Sequence, residues 1–366
     1  MTRDTSDVRA RLATAMTEAR SRWAGAGLEL LPDSGLAHTH VRLVGHGALA
    51  RIPKQSQMDL APSANLAYQA ACFQRAARSG HTPALLGVLA PSAALPRGAL
   101  IVEEIIGRAA RLPHDLTAIM SALAGIHRLA LPAPNARAPL TSAADPLRDL
   151  LAEIEAQAAH LDEAQVEAGT RRCIDAEIEG LRSLCAQPLR PPRCLISFDA
   201  HPGNFMVRAD GRAVLVDLEK CRYSHAPLDL AHATLYTSTT WDAAGSAVLG
   251  VDEVARAYAC WSREMGPAAP AWHDWHLPLR RAMWLWSVTW CAKWRVASRA
   301  ASTTAAAGED WSTELSEPAL IAHVRGRVDH YLSLPTVERV LDEFAALAQT
   351  LPGTCCRNPA IIGPRP

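Results

Sequence analysis

The sequence predicts an α+β protein of two lobes, a small β-rich one followed by a larger helical one. Three observations carry that expectation. Up to Glu103, short apolar runs broken by glycine and proline surround a single internal helical stretch. Beyond Gly107, apolar residues recur at helical spacing almost to the end. At 366 residues the chain exceeds what one ordinary core accommodates. The expected boundaries are 1–106 for the first lobe, 107–350 for the second and 351–366 for a loosely ordered tail.

Taken in order, Val8, Leu12, Met16 and Ala19 mark a helix over 5–25. "LELL" from Leu28, "HVRLVG" and "ALARIP" read as strands, the last two joined by Gly45-His46-Gly47. A helix over about 63–79 opens with Ser63 as its cap and closes at Gly80. "ALLGVLA" and "ALIVEEI" are two further strands. Past Gly107, "DLTAIMSALAGIHRLAL" is a helix with Asp115 as its cap. A proline-rich connection over 131–146 precedes helices at about 147–160 and 164–186. "FMVR" and "AVLVD" flank Ala209-Asp210-Gly211-Arg212, and Asp-Gly between apolar runs signals a β-hairpin. The remainder to about 349 is mostly helical, with a loop at 301–313.

Lys plus Arg equals Asp plus Glu at 37 each, so no global field draws the chain to nucleic acid or to a membrane surface. No apolar run reaches the ~18 residues of a membrane span, and the charged N-terminus lacks a signal-peptide core. Nine cysteines, an odd count without metal-ligand spacing, read as free thiols of a cytoplasmic protein.

The hairpin is the centre of the functional argument. Its open end folds residues 199–204 beside residue 217, bringing Asp199, Asn204 and Asp217 into one volume. Such oxygen-bearing groups converge around a cation, and Mg²⁺ prefers oxygen ligands with one or two carboxylates. The bland alternative is a Pro-Gly-Asn turn plus a hairpin with no chemistry. Asp217 at the far end of the hairpin and the β-then-α order upstream weigh against it.

"D-A-H-P-G-N" (199–204) with "V-D-L-E" (216–219) resembles the aminoglycoside phosphotransferase and choline kinase family, which has the protein-kinase-like fold. The resemblance implies that Asp199 is the catalytic base and that Asn204 and Asp217 hold Mg²⁺ on the phosphates of ATP. His201 would orient the loop, Gly203 would let it turn, and Asp229 in "PLDLAH" would support the metal-binding segment. Ser197 departs from the family, which has a histidine there.

On the nucleotide side, Gly35 would approach the phosphates. Arg51 would be their cation, with Lys54 assisting from beyond Pro53. The helix over 63–79 has Gln69 where a glutamate would pair that cation, so a weaker clamp is expected. The backbone of Glu103, Glu104 and Ile105 would meet the adenine edge. His38 and His40 read as ordinary histidines, since no third ligand lies near them in the sequence.

For the acceptor, Trp286, Trp290 and Trp294 share one helix face, a spacing commoner in cores than in ligand cages. The functional reading makes Trp241, Trp286 and Trp290 an apolar or cation-binding wall. Asp242 would either receive an amine or cap the next helix. The expected activity is thus an ATP- and Mg²⁺-dependent kinase of a small hydroxyl compound: an aminoglycoside, an amino alcohol or a sugar. Neither nucleic acid nor membrane is an expected partner, and the oligomeric state stays open. Two other readings stand beside it. One is a non-catalytic nucleotide- or ligand-binding relative, motivated by Ser197 and Gln69. The other is a metal-dependent hydrolase using the same carboxylates.

Overall fold

Five short strands form the first lobe in the computed structural model, which describes residues 5–32, 37–56, 58–242, 245–299 and 317–351. They are β1 (Leu28–Leu30), β2 (His38–Leu43), β3 (Ala48–Pro53), β4 (Leu85–Leu89) and β5 (Ala99–Glu103). The sheet is antiparallel throughout, in the order β1-β2-β3-β5-β4. Gly45 and Gly47 turn β2 into β3 with φ of 78° and 58°, a left-handed backbone that glycine adopts without strain. The register then sets His40 opposite Arg51.

One sheet face, with Val41, Leu43, Ala50 and Ile101, packs on Leu12 and Met16 of α1 (Thr5–Glu18) and on Trp23. Leu100 and Val102 on the other face join Leu66 and Phe73 of α2 (Pro62–Ala76) in the larger core of the second lobe. Alternation along β5 therefore sends its side chains into two different cores. The first helix stops at Glu18 rather than at residue 25, because the chain turns at Arg20 (φ 48°) and Gly25 (φ 86°). Ser63 does not cap α2. Ala61 stands at the cap with no side-chain bond, and Pro62 opens the helix, where its missing N–H costs nothing. Gly80 closes the stretch with φ 70°, as expected.

The second lobe runs β6 (Arg108–Ala109), α3 (Leu116–His127), α4 (Pro146–Ala158), α5 (Ala168–Ala186), β7 (Cys194–Ile196), β8 (Phe205–Val207), β9 (Ala213–Leu215) and β10 (Arg222–Ser224). It continues with α6 (Pro227–Thr234), α7 (Tyr236–Thr239), α8 (Val251–Met265), α9 (His276–Ala297), α10 (Pro318–Tyr331) and α11 (Leu334–Leu347). Helix α9 is the axis of the lobe, packing against α4, α5, α6 and α10. Its Arg280 is fully buried, donating to Thr234 and forming an ion pair with Glu343. Asp115 precedes α3 but makes no cap bond; its carboxylate instead holds Arg108, the Arg111 amide and His114.

β8 and β9 form the expected hairpin, Phe205 opposite Leu215, around Asp210-Gly211 with Gly211 at φ 82°. β6 adds to its edge, and β7 pairs with β10. The expected loop at 301–313 lies outside the described residues, as does the tail from 352. The seven described cysteines are free, and no described helix is long and apolar enough to cross a membrane.

Candidate active site

The β8–β9 hairpin draws its two ends together: the Val216 amide donates to the Asn204 carbonyl at 2.8 Å. β7 feeds the other participant in, through Ser197 and Phe198 to Asp199. Phe198 has φ 57°, a left-handed conformation that costs a non-glycine residue about 1–2 kcal/mol. Two buried hydrogen bonds hold it there. Asp229, at the start of α6, accepts from the Ser197 amide at 2.7 Å and from the Phe198 amide at 2.8 Å. Its third partner is His127 Nε2, on α3, at 3.1 Å. The Trp261 indole can only donate, and it reaches His127 Nδ1 at 3.0 Å. The imidazole therefore carries its proton on Nε2 and donates it to Asp229. Asp229 thus supports the turn ahead of Asp199, not the segment around Asp217 as the sequence suggested. Ser197 adds a local bond, its Oγ accepting from the Asp199 amide at 3.0 Å.

Asp199 Oδ2 is paired with Lys220 Nζ at 3.0 Å. Its Oδ1 has no hydrogen-bond partner among the described residues and lies 3.9 Å from His232 Nδ1. Asn204 Nδ2 donates to the Asp199 carbonyl at 2.9 Å, which leaves the amide oxygen of Asn204 as its ligand atom. His201 Nδ1 accepts from the Gly203 amide at 3.0 Å and shapes the turn between the two. Gly203 lets the turn sit close to two side chains: a Cβ would overlap the Asp242 carboxylate and lie 2.7 Å from His201 Cε1, so a side chain there would have to move.

Asp217 is bound across the lobes. Arg51 Nη2 pairs with Asp217 Oδ1 at 2.8 Å, and Arg51 Nη1 donates to the Val216 carbonyl at 2.8 Å. Burial would raise the Asp217 pKa, but Arg51, His38 and Lys220 outweigh it and hold the carboxyl well below the usual range. Arg51 Nε is buried and has no partner among the described residues. Lys54 is half-buried past the end of β3 and does not line the cleft. Gln69 does not reach Arg51. It contacts His38 Nε2 at 3.0 Å and Glu219 Oε2 at 3.5 Å, and the guanidinium takes its counter-charge from Asp217 instead.

His38 does acquire further partners, which the sequence did not reveal. One ligand atom each from His38, Asp217 and Glu219 lie within 4.8 Å of one another. Burial, then Arg51, pushes His38 down to about 4, so it is neutral at pH 7. Burial, then the charge of Asp217, pushes Glu219 up to about 8. A buried carboxyl raised by its neighbour marks a place where a cation relieves repulsion.

A cleft of about 610 Å³ opens over these groups between the lobes. At its hinge the amides of Glu103 and Glu104 are already bonded, to the Ala84 and Gly47 carbonyls at 2.9 Å each. Their carboxylates pair with Arg208 and Arg42. Of the three hinge residues, only the Ile105 amide is without a partner among the described residues, and Ile105 lines the cleft. Gly35 lies outside the described residues.

Trp241, Trp286 and Trp290 line the far end of the cleft, while Trp284 is buried against Phe344 and Trp294 lies in the core. Trp286 meets Phe198 edge-on at 5.1 Å and faces the Lys220 ammonium at 5.7 Å. Asp242 lies against Gly203, 3.9 Å from His201 Nε2. Glu219, Lys220 and His127 are the residues that sequence reasoning missed. Glu219 had a signal: it is the acidic residue that closes the "V-D-L-E" stretch, two positions after Asp217.

A β-built lobe over a helical lobe, with acidic and amide side chains lining the cleft between them, defines a protein of the protein-kinase-like fold. The chain belongs to the phosphotransferase enzyme family, whose model matches residues 31–272. No curated protein sequence matches it. Among solved structures it is similar to a choline/ethanolamine kinase family protein from Mesorhizobium loti, at 20% identity and a TM-score of 0.56, over 93% of this chain and 98% of that one. It is similar also to an ethanolamine kinase from Plasmodium vivax, at 10% identity and a TM-score of 0.57, over 91% and 90%. An ADP-bound aminoglycoside phosphotransferase matches at 12% identity and a TM-score of 0.52, over 88% and 98%.

Proposed function

We propose that the protein is an ATP- and Mg²⁺-dependent kinase that phosphorylates a hydroxyl group of a small molecule. The observation that carries this reading is the meeting of Asp199, Asn204 and Asp217 at one end of the inter-lobe cleft, with Arg51 beside them.

The residues present fit a metal-bound nucleotide. Asp217, Glu219 and the amide oxygen of Asn204 are a hard oxygen set suited to Mg²⁺. The carboxyl groups crowded at Asp217 and Glu219, and the Arg51 Nε without a partner among the described residues, are the features a cation and a phosphate would satisfy. The Ile105 amide would meet the adenine edge. Mg·ATP supplies the phosphoryl group and neutralises the charge that develops on it.

Asp199 does the work on the acceptor. Lys220 and the Asp229-held turn fix the carboxylate, leaving Oδ1 free to take the hydroxyl proton. The hydroxyl oxygen forms its bond to the γ-phosphorus as the bond from that phosphorus to the oxygen of departing ADP breaks. The proton passes to Asp199 and then to water. Positioning and charge stabilisation account for most of the rate.

Asp199→Asn should lower turnover by roughly 10²–10⁴-fold, the usual worth of a general base. It should keep the thermal shift induced by Mg·ADP, whereas Asp217→Ala should lose the Mg²⁺-dependent part of that shift. Parental turnover in both variants would overturn the assignment.

A further inference from the structure

The tryptophan wall of the cleft and the residue ahead of the base are fastened to one carboxylate that does not itself line the cleft. Glu153, on α4, accepts from Arg222 Nη1 through Oε1 at 2.6 Å and from Trp286 Nε1 through Oε2 at 3.1 Å. The Arg222 guanidinium lies over the Phe198 ring, 3.7 Å from its centre, and Phe198 meets Trp286 edge-on at 5.1 Å. Side chains from α4, β10, the loop after β7 and α9 thus close a ring of contacts. Phe198 is its pivot, because its left-handed backbone leads straight into Asp199. Trp286 is its cleft-lining member and reaches Asp199 a second way, through Lys220.

We infer that Glu153 is a positioning residue, which fixes the tryptophan wall relative to the base so that an acceptor resting on Trp286 meets Asp199 in register. This role rests on the kinase reading above and adds to it a residue remote from the reacting atoms. The position demands two acceptor oxygens. An indole N–H and a guanidinium can only donate, so the group that holds both must accept twice. Glutamine keeps one oxygen and turns its NH₂ group on the other donor, and either the indole or the guanidinium comes loose. Charge alone does not replace this. Asp149, one turn earlier on α4, feels the charges of Glu153 and Arg222 alike, so Arg222 keeps a carboxylate in reach when Glu153 is neutralised. What is lost is orientation. The indole has a single polar atom to fix its rotation, and a flat guanidinium stacks on a phenyl ring as an ammonium cannot.

The chain has 4 phenylalanines, so the full-length protein labelled with 4-fluorophenylalanine gives one fluorine resonance for each, and Phe198→Leu assigns the one ahead of Asp199. Glu153→Gln and Arg222→Lys should each move or split the Phe198 signal. Phe73, Phe205 and Phe344 should stay in place and report that the variants are folded. Gln157→Ala is the control for a merely structural seam. It removes the bond from Thr289 to Gln157 at 2.7 Å, from the same packing of α4 on α9, and should leave the Phe198 signal unmoved. In ADP release from Mg·ATP with water as the acceptor, Glu153→Gln should lower turnover roughly 10- to 100-fold and leave the KM for Mg·ATP nearly unchanged. Joining it to Arg222→Lys should cost no more than the worse single change, since the two residues act as one unit. An unmoved Phe198 signal in Glu153→Gln, an equal movement in Gln157→Ala, or losses that multiply in the double variant would each overturn the inference. The fluorine signals decide even where turnover with water is too slow to follow. Calorimetry of the parent with Mg·ADP tests the kinase reading separately. A protein that binds Mg·ADP while its Phe198 signal ignores Glu153→Gln refutes the role of Glu153 alone, and one that binds no Mg·ADP refutes the kinase reading.

Discussion

Replacing Asp229 with asparagine tests how the site is held. The carboxylate is fully buried and accepts three hydrogen bonds, two through Oδ2 from Ser197 and His127 and one through Oδ1 from Phe198. An asparagine keeps one oxygen. Placed where Oδ2 was, that oxygen saves two of the bonds and turns its NH₂ group toward the Phe198 amide, donor against donor. A lost charge-assisted bond with a buried N–H left unpaired costs about 2–3 kcal/mol. That exceeds the ~1–2 kcal/mol penalty of the left-handed Phe198 only while the bond exists, so the backbone should relax and carry Asp199 with it. If the full cost falls on the productive loop geometry, turnover drops roughly 30- to 150-fold. Nucleotide affinity should hardly change, because Asp217 and Arg51 are not bonded to Asp229. The assay is ADP release at saturating acceptor, paired with calorimetric titration of Mg·ADP. An Asp229→Asn enzyme with parental turnover would refute the reasoning, since the turn would then need no buttress.

Other perturbations follow from the same contacts. Gly203→Ala puts a methyl group against the half-exposed Asp242 carboxylate, which can swing aside, so thermal stability should hold while turnover falls roughly tenfold through displacement of the loop. A fall in melting temperature without loss of turnover would contradict this. Arg280→Met removes the guanidinium paired with Glu343 from the N-terminal part of α9, and urea titration should show a loss of about 3–5 kcal/mol. A loss below 1 kcal/mol would mean that the pair carries little. Burial also pushes His225 to about 4 and His276 to about 3, away from the 6.5 of an exposed histidine. Both are neutral in the fold but protonated in the unfolded chain between those values and 6.5. Their contribution is complete above pH 6.5 and declines on acidification, by up to about 1.4 kcal/mol per pH unit for each. A urea midpoint unchanged between pH 7 and 5 would show that neither histidine is so held.

Much of the fold was legible because local periodicity and turn chemistry carry it. "ALARIP" became β3, "FMVR" and "AVLVD" became the hairpin, and Gly80 closed its helix, each through backbone preferences acting over a few residues. The cap at Ser63 was misjudged, since Pro62 opens that helix, whereas Asp115 stands at the cap position of α3 as read but gives its carboxylate to Arg108 in place of a cap bond.

The approach of Asn204 to Asp217 was readable for the same reason: a hairpin fixes the distance between its own ends. What surrounds them was not. Gln69 stands where a counter-charge was expected but faces His38, and Arg51 finds its carboxylate on the other lobe. Asp229 turns to the amides ahead of Asp199, held there by a histidine from α3 and a tryptophan from α8. Lys220 reaches both Asp199 and Trp286. Local order in a chain follows from neighbours a few positions away. The charge a site presents depends on side chains from distant segments, and their meeting is decided when the lobes close and burial makes each unpaired group costly.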